Sequence, residues 1–260
     1  MGPYRARSVV ALARMTKPSF ILSVAALLLG GCAALAPKLE APRLEVTEVR
    51  FVGGDLAERA ADAALAAAGV DTTALQPSNC GARVLWSEHM AKHAGAPLKR
   101  IDVSCGPATQ RGEAVVTMHG LEGGAVYALA PNLREALARG QAQLRIDLRP
   151  EMTSDELAQR LRTAPAKSTW SNVLRKSAGL ATAAVALIRE AGPVPRDAEA
   201  LAALIKAVPL TVSGLAGMER AISTAGGVSS AAIDGRLMLT ACPGIFVAGE
   251  MLDVDAPTGG

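Results

Sequence analysis

ERAISTAGGVSSAAIDGRLMLTACPGIFVAGEMLDVDAPTGG occupies Glu219–Gly260, and its reading decides what the rest of the chain is. At its centre lies an apolar run, Gly244-Ile245-Phe246-Val247-Ala248, which predicts a buried parallel strand. The run ends in Gly249-Glu250 and leads to a Gly-rich loop, Thr258-Gly259-Gly260. A strand that ends this way brings a carboxylate and open backbone N–H groups to the carboxyl edge of a sheet. Nucleotide cofactors bind at that edge in open α/β folds. Upstream, Gly226-Gly227 reads either as a hairpin turn or as a place where backbone closely approaches a ligand.

The chain has 260 residues, half of them apolar and only 3% aromatic, so any core is built from Ala, Leu, Val and Ile. That length suits one large domain or two small ones. The net charge of +3 is local: residues 1–31 hold Arg5, Arg7, Arg14 and Lys17 and no acid, leaving 23 basic against 24 acidic groups elsewhere. With no basic patch beyond that leader, a nucleic-acid partner is not expected. The cysteines, Cys32, Cys80, Cys105 and Cys242, show no CxxC spacing, which removes the usual zinc-ribbon and thioredoxin readings.

The first 31 residues read as an export leader. A basic segment precedes the apolar stretch Phe20–Leu29, too short to span a bilayer as a helix. It closes on Leu29-Gly30-Gly31-Cys32, which resembles a bacterial lipobox and implies lipidation of Cys32. Residues 32–55 form a Pro-containing tether and one strand, with Leu44 and Val46 alternating with polar residues. This stretch resembles the opening strand of late-embryogenesis (water-stress) β-sandwich lipoproteins. An Ala-rich helix is expected over Leu56–Ala68, capped by Gly69.

Residues 97–150 read as strands with one helix. Ile101, Val103 and Cys105 alternate with Asp102 and Ser104, and Leu144, Ile146 and Leu148 with Arg145 and Asp147. Asn132 and Glu135 have capping-box spacing for the helix between, and Gly120–Gly124 reads as a turn. Helices follow: one from the Thr153–Glu156 capping box, one over 171–191 stopped by Gly192-Pro193, and one bearing Leu201, Leu204, Ile205 and Val208 and ended by Pro209.

The words Gly95-Ala96-Pro97-Leu98-Lys99, Arg111-Gly112-Glu113, Asp147-Leu148-Arg149-Pro150, Asn172-Val173-Leu174-Arg175-Lys176 and Leu204-Ile205-Lys206 recur in one family, as do Gly120–Tyr127 and the closing segment. From about residue 62 onward the chain resembles the HI0933-like or BaiN-like flavoproteins of aminoacetone-oxidase type. The resemblance implies an α+β chain. Residues 56–218 would be an inserted β-rich and helical domain, and 219–260 an incomplete Rossmann-like FAD-binding strand and loop. It also implies that Gly226, Gly227, Gly249, Glu250, Thr258, Gly259 and Gly260 line an FAD site, with Glu250 accepting hydrogen bonds from ribityl hydroxyls. The two likenesses meet near Gly54, as two joined reading frames would.

Other chemistry is less well supported. His89 and His93 lie four residues apart, but Glu88 precedes the first of them and no third ligand is evident, so no metal site is expected. The sequence contains no Gly-x-Gly, hence no dinucleotide fingerprint. The expectation is a piece of an FAD-dependent, NAD(P)/FAD-type oxidoreductase acting on a small redox substrate, unable to hold FAD tightly alone. The alternative is a non-enzymatic lipoprotein with a structural or binding role. The leader implies a membrane-anchored lipoprotein and the flavoprotein likeness a cytoplasmic enzyme; for this chain the leader takes precedence. Membrane contact would be through the Cys32 lipid alone. Labelled palmitate fed to a bacterial host should enter the wild-type chain and not Cys32→Ser; equal labelling of both would remove the lipid anchor.

Overall fold

The computed structural model describes residues 10–14, 49–52, 64–165 and 167–255. These fall into two compact units, with the divisions after Ala74, Ala225 and Val254.

The larger unit is built on strands β4 (Ala82–Arg83), β5 (Pro97–Cys105), β6 (Ala108–Thr117), β7 (Gly120–Glu122), β8 (Ala142–Asp147), β9 (Val208–Val212) and β10 (Gly214–Leu215). Their order is β10-β4-β7-β6-β5-β8-β9, and every neighbouring pair is antiparallel. The two outermost strands, β9 and β10, are separated in sequence by Ser213 alone. One segment of chain therefore supplies both edges, and the sheet closes into a barrel. Ser213 makes the corner: its N–H donates to the Arg83 carbonyl at 2.9 Å and its hydroxyl to the same oxygen at 3.2 Å.

Alternation places Ile101, Val103 and Cys105, Ala142, Leu144 and Ile146, and Val208, Leu210 and Val212 in the core. The register of β5 slips between Leu98 and Ile101, where Arg100 takes a φ of 52°. Gly120, expected in a turn, instead opens β7 opposite Arg83. A Cβ there would stand 1.9 Å from the Ala82 carbonyl oxygen, so β4 and β7 can approach only over glycine.

Short helices α1 (Glu88–Ala91), α2 (Gly124–Tyr127) and α3 (Ala130–Ala138) join barrel strands. Pro131 lies in the first turn of α3, which starts ahead of the predicted Asn132 cap. Four helices, α4 (Ser154–Arg162), α5 (Trp170–Lys176), α6 (Thr182–Glu190) and α7 (Ala198–Lys206), all lie between β8 and β9. The Thr153–Glu156 box forms as read: Thr153 Oγ1 accepts from the Glu156 N–H at 3.2 Å, and Glu156 Oε2 accepts from the Thr153 N–H at 2.9 Å. The Thr153 N–H and then its hydroxyl hold the Glu156 carboxyl below its ordinary value. The single helix expected over 171–191 is two, parted at Gly179 with φ 65°. α7 ends before Val208, and Pro209 lies inside β9 opposite Arg145.

Lys206, the last residue of α7, ties the helices to the barrel. Its Nζ pairs with Asp147 Oδ2 at 2.6 Å and donates to the carbonyls of Arg149 at 3.0 Å and Met152 at 2.7 Å. Asp147 Oδ1 accepts from the Arg149 N–H at 2.8 Å.

The smaller unit contains β1 (Val10–Arg14), β2 (Val49–Val52) and β12 (Ile245–Phe246) in the order β12-β1-β2, all antiparallel. β1 falls within the stretch read as a leader; Phe20–Leu29, Cys32 and Leu44–Glu48 lie outside the described residues. The parallel strand expected over 244–248 is corrected to the two-residue β12, which pairs antiparallel with β1. Its two residues are only half-buried. Left-handed glycines at Gly244 (φ 90°) and Gly249 (φ 68°) turn the chain on either side and keep the strand short. Leu65, Val70, Val228, Leu239, Val247 and Met251 form the core of this unit. Of the helix expected over Leu56–Ala68, residues 56–63 lie outside the described residues; 64–67 are helical, and the chain leaves the helix through left-handed Gly69, with the Val70 N–H reaching back to the Leu65 carbonyl at 3.0 Å.

The Lys206 ammonium sits among three protein acceptors. Lys206→Met should therefore lower stability by about 1–3 kcal/mol in urea denaturation. Lys206→Arg should not restore it, since the fork cannot match one carboxylate and two converging carbonyls.

Candidate functional site

The site is assembled from β11 (Ser223–Val228) and the segment after β12. The Val228 carbonyl accepts from the Asp253 N–H at 2.9 Å, and Val228 bridges Leu252 in parallel. Gly226-Gly227 and Gly249-Glu250, far apart in sequence, are thereby held by adjoining backbone.

Neither Gly226 nor Gly227 forms a hairpin turn; both belong to β11, with φ 91° and 123°. A Cβ on Gly226 would lie 2.4 Å from the Ala74 carbonyl oxygen, and one on Gly227 2.4 Å from that of Met251. Backbone of the same unit already fills the space beside each, so these glycines serve strand-to-loop approach. Gly249 differs: at φ 68° a Cβ would meet nothing within 4 Å. Glu250 follows, exposed, in a 3₁₀ turn over Gly249–Met251 whose buried member is Met251. Among the described residues no cation pairs with Glu250. A free carboxylate beside open backbone suits a ligand rich in hydroxyl donors. Gly249 and Glu250 thus stand in the open, whereas Gly226 and Gly227 are closely backed by other backbone of the same unit. Thr258, Gly259 and Gly260 lie outside the described residues.

Two acids beyond Glu250 have defined partners. Asp253 Oδ2 accepts from the Thr73 hydroxyl at 2.7 Å. Asp255, in the larger unit, accepts from the Ser78 hydroxyl and pairs with Arg134 of α3. Arg134 also donates to the Pro77 carbonyl at 3.0 Å. Sequence reading missed Thr73, Ser78 and Arg134. The only signal available was Arg134 on a helix otherwise paired by Glu135 with Arg139, and its partner lies 121 positions away.

Cys80, fully buried near this network, has its thiol pushed up to about 11 by burial, with the Arg134 charge pulling the other way. Cys105 is raised for the same first reason. His89 and His93 stand edge to face with centroids 5.7 Å apart, and among the described residues no three metal-binding side chains gather.

A family model, the HI0933-like protein barrel and H2TH domain, matches residues 76–223. That span holds the closed barrel and all four helices inserted between β8 and β9. No curated protein gives a significant match.

Arg134→Met removes the Asp255 ion pair and the Pro77 bond together. Stability should fall by about 1–2 kcal/mol. Iodoacetamide at pH 8, followed by mass spectrometry, should label half-buried Cys242 and spare Cys80 in the wild type and in the variant alike, because losing the Arg134 charge raises the buried Cys80 thiol further.

Proposed function

The chain belongs to the HI0933-like family, and from that membership we propose that it is part of an FAD-dependent oxidoreductase: its barrel-and-helix domain joined to a portion of the flavin-binding segment. The HI0933-like proteins are a flavoprotein family of the FAD-dependent oxidoreductase type. The observation that carries the reading is the family match over 76–223, a span that holds a barrel closed by one segment with four helices between β8 and β9. The Gly249-Glu250 geometry supports it independently.

Bound FAD supplies two-electron chemistry to enzymes of this kind. This chain's own residues do more limited work. Glu250 accepts hydrogen bonds from the ribityl hydroxyls, and the open backbone at Gly249 lets the ligand approach without a side chain intervening. The hydrogen bond from Thr73 holds Asp253, and so the strand end that presents both. Gly226-Gly227 position that strand end by close packing against the Ala74 and Met251 carbonyls. No residue here is assigned as a catalytic acid or base; hydride transfer to or from a flavin requires none fixed on this chain. A lipid on Cys32 would place the protein on a membrane, and it remains part of the proposal.

The sequence has no Gly-x-Gly phosphate cradle, and those contacts supply much of the affinity for a dinucleotide. Purified alone, the chain should carry far less than one FAD per polypeptide by flavin absorbance. Co-expression with a dinucleotide-binding segment from an intact HI0933-like protein should raise occupancy. In that assembly Glu250→Ala should weaken FAD binding about ten- to hundredfold. Unchanged affinity for Glu250→Ala would remove Glu250 from the site, and full occupancy of the lone chain would overturn the dependence on a separate cradle.

A further inference from the structure

The four-helix insert contains a cavity of its own, of about 260 Å³, between α4, α5 and the start of α7. Leu161 and Leu201 form its apolar floor, both buried; Trp170 and Ala164, half-buried, form its walls. Polar groups enter at two places, the Ser168 hydroxyl and the exposed Arg196 guanidinium at the mouth. Nothing in the flavin reading uses this cavity or these side chains.

Charge at the mouth decides what fits. Three acidic or basic neighbours are already committed. Arg162 pairs with Glu199, and Asp197 accepts the Ala200 N–H at 2.8 Å as the cap of α7. The Ala200 N–H, the largest cause, holds the Asp197 carboxyl below its ordinary value, so it stays a satisfied anion turned into its helix. Among the described residues no carboxylate pairs with Arg196. The cavity therefore ends in one uncompensated planar cation, the group best suited to take a carboxylate through two parallel hydrogen bonds. Leu161, Leu201 and Trp170 give a small apolar body a surface to rest on within a lining that also carries polar groups, and Trp170 gives an aromatic one a face or edge to pack on. The volume falls below the range of about 300–1,000 Å³ that houses drug-sized ligands, which restricts the body to a single ring or a short chain.

We infer that this cavity binds a small amphiphilic carboxylate, with its anionic end on Arg196 and its apolar end over Leu161, Leu201 and Trp170. Ser168 provides a neutral hydroxyl between the two ends. Such a ligand would occupy the helical insert, and the site stands whether or not the flavin reading does.

The test uses 4-fluorophenylacetate as probe, with 4-fluorophenylacetamide as its uncharged isostere, and follows the fluorine resonance as the full chain is titrated. The wild type should broaden the acid saturably and leave the amide sharp. Arg196→Gln should weaken binding about tenfold, which is one charge-assisted hydrogen bond in affinity terms. Ala164→Phe, which fills the cavity from its wall, should abolish binding. Arg139→Gln, on the barrel side and paired with Glu135, should change nothing. Matching thermal midpoints for the three variants would establish that each is folded. If Ala164→Phe melts early, Arg196→Gln, which alters an exposed side chain, still decides the matter. Absence of broadening in the wild type, equal broadening by acid and amide, or unchanged affinity in Arg196→Gln would overturn the inference.

Discussion

A single run of backbone, Val208–Leu215, has to serve both edges of the barrel. On one side β9 pairs with β8 from Val208↔Ile146 to Val212↔Ala142; on the other, β10 pairs with β4 at Gly214↔Arg83 and Leu215↔Ala82. Ser213 must therefore turn the chain from one neighbour to the other within a residue, and both of its hydrogen bonds go to the Arg83 carbonyl to do so. Closure of this kind leaves no open edge for another chain to extend. It also accounts for the glycine at position 120, because the short strands on the β10 side must lie close enough for β4 to meet both neighbours.

Around that closure, polar side chains tie segments that are distant in sequence. Lys206 gathers Asp147 and two carbonyls where the helices return to the barrel. Arg134 gathers Asp255 and the Pro77 carbonyl where β3 (Thr72–Ser78) ends. In each case one long cation satisfies several oxygens at once, which fixes a loop more firmly than separate surface pairs would. The Gly249-Glu250 turn sits at the end of such a fastened segment, so its carboxylate projects from backbone that is itself anchored by Met251 and Asp253.

Much of the fold was legible where side-chain period and local chemistry agreed. The alternation in β8 and the reciprocal bonds of Thr153 and Glu156 depend on neighbours in sequence, and both appear as read. β6 was not read, because Gln110, Arg111, Gly112 and Glu113 interrupt any apolar alternation until Ala114. Pro209 read as a helix stop; it is tolerated inside β9 because it comes second in the strand, where a missing donor costs little. The 171–191 stretch read as one helix because its Ala-rich pattern continues across Gly179, whose φ of 65° only the packed structure imposes. The terminal apolar run carried a real signal for a strand, but its length and direction were set by turns at both ends and by pairing with β1, not by hydrophobicity. Gly249 and Glu250 read as the end of a strand, and they do follow β12 in a short turn. The partners of Asp253 and Asp255 were not legible, since no local pattern marks a bond between residues so far apart.

The placement of four helices between neighbouring strands β8 and β9 bears on how the molecule comes to be assembled. Those strands cannot register until residues 148–207 have been gathered, and closing so long an unstructured excursion carries a substantial entropic cost. Helices α4–α7 have local caps and stops and can collapse first, shrinking that excursion to the short distance spanned by Lys206 and Asp147. The strands that close the barrel on this side are thus coupled to the helices between them, and a lesion in the core of the insert would be felt in the pairing of β8 with β9 as well as in the helices themselves.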